Sequence, residues 1–126
     1  MISLSRTDTV SDTLVTTYLE MKRRADFRPA YLPDSDGYRI VPMRVPDVAF
    51  YRFLYQAVGK VWRWRDRLKL SDANLRAILT NQQVSVDVLH VNGVPAGFIE
   101  LSRESDNIEV TYFGLRPQFI GCGYGK

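Results

Sequence analysis

Regular alternation of apolar and polar positions begins at Tyr38. Tyr38, Ile40 and Pro42 alternate with Arg39, Val41 and Met43, which predicts a short strand. Pro46 then opens a helix, a favoured place for proline because its missing N–H has no partner there anyway. Phe50, Phe53, Leu54, Ala57, Val58 and Val61 follow helical spacing, with Arg52 and Gln56 between them, and Gly59 is a natural C-terminal stop. A second helix is predicted from Ser71, whose hydroxyl can accept from the first free backbone N–H groups. Leu70 and Leu75 flank that start as a hydrophobic staple, Ile78 and Leu79 continue the apolar face, and Asn81 ends it.

The period then changes to two. Val84, Val86 and Val88 alternate with Ser85, Asp87 and Leu89, and Asn92-Gly93 follows, a pair that tolerates the positive φ of a tight hairpin. Val94 to Leu101 is the return strand, Arg103 to Asp106 a polar turn, and Asn107 to Leu115 a third strand. Strands joined by such tight turns are antiparallel. Upstream, residues 1–12 read as a frayed polar terminus, Thr13 to Met21 as a strand rich in Thr, Val and Tyr, and Arg28 to Gly37 as a loop. The organisation is thus a polar extension over 1–37 and a domain over 38–126.

Composition narrows the class. In 126 residues, 45% are hydrophobic and 25% charged, which fits one folded domain and excludes global disorder. The single cysteine, Cys122, rules out an intrachain disulfide and suits a reducing compartment. Met1 to Val10 carries no apolar leader core, and no apolar run approaches the roughly 18 residues of a membrane span. A cytoplasmic protein without membrane partners is expected. The net charge of +3 is mild. Its basic clusters, Lys22, Arg23, Arg24 and Arg28, then Arg63, Arg65, Arg67 and Lys69, read as solvated faces. A small nucleic-acid-binding domain on the second cluster is a weaker alternative, since no recognition motif accompanies it and nucleic acid is not an expected partner.

The most informative stretch is Tyr112-Phe113-Gly114-Leu115-Arg116-Pro117-Gln118-Phe119-Ile120-Gly121-Cys122-Gly123-Tyr124-Gly125-Lys126. A strand ends there in a glycine-rich loop, where the backbone can approach a ligand closely and its N–H groups can gather around an anion. The spacing is one residue short of a P-loop, and it reads G-x-G-x-G where a dinucleotide fingerprint needs G-x-G-x-x-G.

Gln118-x-x-Gly121-x-Gly123, with Gly125 beyond it, resembles the Q/R-x-x-G-x-G/A signature of the GNAT superfamily of N-acyltransferases. The order strand, helix pair and antiparallel meander resembles that family too, over Tyr38 to Lys126. Tyr112 to Leu115 and Phe50 to Tyr55 resemble a bacterial subgroup. The resemblance implies an α/β (α+β) fold with a mainly antiparallel sheet, acetyl-CoA as co-substrate, an amine acceptor of unspecified identity and no metal. It implies that backbone N–H groups of Phe119, Ile120, Gly121, Cys122, Gly123, Tyr124 and Gly125, next to Gln118, hold the pyrophosphate. The pantetheine arm would pair with the strand at Phe113, Gly114 and Leu115. Glu109 is the implied general base, with Glu100 second. Cys122 replaces the Arg or Lys frequent in the family, so weaker pyrophosphate binding is expected. Neither Cys122 nor His90 has a partner arrangement for nucleophilic or base catalysis, and Trp62, Arg63, Trp64 and Arg65 read as acceptor lining or as packing. In the family the fold continues past this loop, so the second half is expected to be missing here. The last strand would then expose an edge open to pairing with a second copy, and a non-catalytic CoA-binding or interaction module is the alternative function.

Overall fold

The computed structural model describes residues 13–126; the terminus expected to fray over 1–12 lies outside them. Strand β1 (Tyr38–Pro42) is followed by α1 (Val48–Gly59), α2 (Asp72–Thr80), β2 (Val84–Val91), β3 (Val94–Arg103) and β4 (Ile108–Leu115). The strands form one four-stranded sheet in the order β1-β2-β3-β4, antiparallel throughout. The fold is therefore α+β with both helices on one side of the sheet.

Local chemistry explains the boundaries. Asp47, not Pro46, caps α1: its carboxylate accepts from the Phe50 N–H at 2.9 Å, and the proline stands one residue outside. Ser71 caps α2 as its position predicts, accepting from Asn74 N–H at 3.1 Å. Between the helices the chain makes short 3-10 turns at Lys60–Trp62 and Asp66–Lys69, which no apolar period announced. The β2–β3 hairpin turns on Asn92 and Gly93, at φ 50° and 79°.

The expected strand over Thr13 to Met21 does not form. That stretch has no regular structure, and Leu14, Tyr18 and Leu19 are almost fully exposed. Thr, Val and Tyr favour strands only where a neighbouring strand and a packed face receive them, and no strand pairs with this stretch among the described residues.

Helix α1 buries Leu54 and Val58 and packs Phe50 against the core as its spacing predicts, but Tyr51 and Tyr55, not Phe53 and Val61, complete the inward face. Tyr51, Leu54, Tyr55 and Val58 are buried, while Phe53 is 45% exposed and Val61 58% exposed. The core joins these α1 residues and Leu75 and Leu79 of α2 to Val86, Val88 and Phe98 of the sheet. Register puts Val88, Phe98 and Gly114 in one row and Val86, Glu100 and Tyr112 in the next, all on the helix side. Between Val110 and Tyr112 the pairing of β4 skips Thr111, a β-bulge whose hydroxyl is buried without a partner. No helix is long and apolar enough to cross a membrane among the described residues.

Candidate functional site

Strand β4 is an edge of the sheet, and no chain pairs with its outer side among the described residues. Just past its end the Arg116 N–H donates to the Ala96 carbonyl at 2.7 Å. In an antiparallel ladder alternate residues exchange both bonds. Counting back two at a time, Gly114 and Tyr112 turn their polar backbone groups toward β3. Phe113 and Leu115 turn theirs outward, toward the open edge. The close fit at Gly97 agrees, since a Cβ there would meet the Gly114 carbonyl at 2.4 Å.

The loop after β4 is anchored at its base and open beyond. Arg116 donates through its guanidinium to the Pro95 carbonyl at 2.8 Å and lies over the rings of Phe53 and Phe119, 5.4 and 5.8 Å from their centroids. Pro117–Phe119 form a 3-10 turn. The Phe119 and Ile120 N–H groups donate to Arg116 and Pro117 carbonyls, so they are not available to a ligand as the motif alone implied. From Gly121 to Gly125 the N–H groups donate to no acceptor among the described residues. Gly121 and Gly123 both adopt φ 86°; with Ile120 at φ −74°, ψ 141° the first is the glycine of a type II turn, and successive turns of this kind can gather N–H groups into a concavity. Tyr124 packs edge-on against Tyr38 and Phe119, which ties the loop back to β1. Gln118 and Cys122 are exposed. The sequence reading does not single out Arg116, because its partners Pro95 and Phe53 are distant along the chain.

The two candidate carboxylates differ sharply. Glu109 is exposed on β4 opposite Ser102, with no hydrogen bond or ion pair among the described residues, and it precedes Gly114 by several residues along the strand. Glu100 is 1% exposed and committed: it accepts from Tyr51 Oη at 2.5 Å and from Arg67 Nη2 at 2.7 Å. Arg67 also lies over the Tyr112 ring, 5.3 Å from its centroid, and its backbone N–H donates to the Tyr55 hydroxyl. Burial first, and then the hydrogen bond to Glu100, push the Tyr51 phenol well above the ordinary tyrosine range. Burial, then a hydrogen bond with Tyr55, does the same to Tyr112. Both phenols are thus held neutral, and the cluster acts as a pin between α1, the 66–69 turn and β3.

Arg67 in that pin breaks up the basic run from Arg63 to Lys69, which is therefore not one continuous cationic face. The tryptophans separate too. Trp62 is 62% exposed, whereas Trp64 packs on Tyr55, Phe98 and Tyr112. His90, read as a strand surface residue, is half-buried with its Nδ1 enclosed and unpartnered.

No known protein family's model matches the chain, and no curated protein matches its sequence.

Proposed function

We propose that this chain is a GNAT-type N-acyltransferase domain that moves an acetyl group from acetyl-CoA to a primary amine within a ternary complex. The observation that carries it is the pairing of an open strand edge with the loop that follows, in which the N–H groups of Gly121 to Gly125 have no acceptor among the described residues. A pyrophosphate is an anion suited to such donors, since glycines at positive φ let the backbone close around it. The pantetheine amides would add to β4 as an extra strand, taking up the outward groups of Phe113 and Leu115. An N–H there would polarise the thioester carbonyl as negative charge develops on its oxygen.

In the reaction the amine lone pair attacks the thioester carbon and forms the C–N bond. The C–S bond then breaks, releasing the amide and CoA thiolate. The proton lost from nitrogen ends, through solvent, on that thiolate or on a base. Glu109 is the proposed base, acting through water because it stands back along β4 from the carbonyl. Glu100 is already engaged by Tyr51 and Arg67. Holding both substrates side by side removes the need for a covalent enzyme intermediate.

Calorimetric titration of acetyl-CoA into the folded chain tests the proposal. Saturable binding that Gly121→Glu abolishes, without loss of folded circular dichroism, is expected. Absence of binding by the folded chain overturns it. A chain that binds no acetyl-CoA and sediments as a dimer instead favours the non-catalytic alternative, in which the open β4 edge pairs with a second copy.

A further inference from the structure

The glycine loop leaves a separate feature of the molecule unexplained. Between the end of α1 and the 3-10 turns that follow it lies a cleft of about 410 Å³, lined by Gln56, Lys60, Arg63, Trp64, Arg65 and Leu68. Among the described residues the lining holds no carboxylate, and Lys60 and Arg65 give it a positive side. Lys60 and Arg65 have no ion-pair partner among the described residues, in contrast to Arg52 and Arg67, which are paired with Asp72 and Glu100. Asp66 is the next residue after Arg65 and does not line the cleft.

The backbone is bent to make this place. Arg63 adopts φ 59°, ψ 37°, a left-handed conformation that costs an ordinary residue about 1 kcal/mol or more. That turn lets the Trp64 N–H donate back to the Gly59 carbonyl at 3.0 Å and lays the indole against the end of α1. A non-glycine residue held there in a strained conformation beside a cleft is the kind of outlier that accompanies ligand sites. Trp64 supplies a flat apolar wall, and Leu68 adds to it.

We propose that this cleft binds a small organic anion, a carboxylate or phosphate carried on a flat apolar body. Lys60 and Arg65 engage the charge at the rim, and the body lies along Trp64 and Leu68. The same indole touches the strand at the other candidate site: its ring centroid is 5.0 Å from that of Tyr112, and its Cη2 is 3.6 Å from where a Cβ on Gly114 would lie. A ligand in the cleft is therefore one side chain away from the β4 segment at Gly114. If the acyl-transfer proposal holds, and this identification alone rests on it, the acceptor is an amine that also bears a carboxylate or phosphate.

The experiment uses fluorescence of the Trp62→Phe chain, in which Trp64 is the only tryptophan. Phenyl phosphate, benzoate and uncharged benzyl alcohol are titrated separately. Saturable quenching by one or both anions, absent for benzyl alcohol and weakened by added salt, is expected. Which anion binds more tightly distinguishes a phosphate from a carboxylate ligand. Lys60→Glu with Arg65→Glu, both exposed positions, should weaken the anion roughly tenfold or more while leaving circular dichroism unchanged. Equal binding of benzyl alcohol, or full affinity in the double variant, overturns the inference. A separate assay with acetyl-CoA compares phenylalanine with phenylalaninamide as acceptors. Anion binding without transfer to either leaves the cleft assignment standing and counts against acyl transfer alone.

Discussion

On the helix-covered side of the sheet, a carboxylate that is 1% exposed keeps two partners, Tyr51 and Arg67. In the loop after β4, the N–H groups from Gly121 to Gly125 have no acceptor among the described residues. The first region commits its polar groups to the fold; the second withholds them. A buried charge left unpaired costs several kcal/mol, so the fold cannot leave Glu100 available. Exposed backbone donors are satisfied by water at little cost, so a loop can keep them for a ligand. The same contrast divides the arginines: Arg67 is spent in the core pin, whereas Arg65, two residues earlier, has no carboxylate partner among the described residues.

The largest effect that should break this contrast is in the pin. Arg67→Met leaves Glu100 buried without its cation, and a loss of about 3–5 kcal/mol in unfolding free energy is expected. Urea denaturation measures it. Glu100→Met combined with Arg67→Met should recover part of that loss, because neither charge is then stranded. A double variant less stable than Arg67→Met alone would mean that Glu100 is held mainly by Tyr51.

A smaller effect is expected at Gly59, where helix α1 ends under Trp64. A Cβ there would meet the indole Cε3 at 2.5 Å. Gly59→Ala must therefore push Trp64 off the helix, and a loss of roughly 1–3 kcal/mol is expected in the same denaturation assay. Because Trp64 also walls the cationic cleft, affinity for phenyl phosphate should fall with it. Unchanged stability would show that the indole shifts freely, and that the cleft is not a preformed site.

Much of this architecture was legible before the structure. The caps at Ser71 and Asn81, the Asn92-Gly93 hairpin and the three-strand meander all follow from local chemistry, since each depends on residues close in sequence. What was not legible depends on distant partners. The apolar spacing of α1 does not reveal that Tyr51 and Tyr55 turn inward, because Tyr51 packs on Phe98 and its hydroxyl is satisfied by Glu100, 49 residues away. Thr13 to Met21 has strand composition, but a strand needs a neighbour, and none is present among the described residues. At the candidate site, the glycine pattern located the loop, yet it did not show that Phe119 and Ile120 spend their N–H groups on the 3-10 turn. Nor did it single out Arg116, whose stacking on Phe53 requires α1 to pass nearby.

The smallest change in stability should come from the loop, where the comparison is sharpest. Gly121 resembles Gly59 in sequence and differs from it in cause. A Cβ on Gly121 would meet nothing within 4 Å, so the glycine is not there to avoid a clash. Its φ of 86° is the constraint, and alanine in that region costs about 1 kcal/mol. Gly121→Ala should therefore lower stability only slightly. Its effect on acetyl-CoA affinity should be larger, roughly tenfold or about 1.4 kcal/mol, because any shift of φ toward the favoured negative range re-aims the neighbouring N–H groups. Gly59→Ala should do the reverse, costing more stability and leaving acetyl-CoA affinity nearly intact. Calorimetric titration of both variants against their unfolding midpoints separates the two cases. If Gly121→Ala loses stability but no affinity, the glycines serve only the turn, and the donors of the loop have no pyrophosphate to hold.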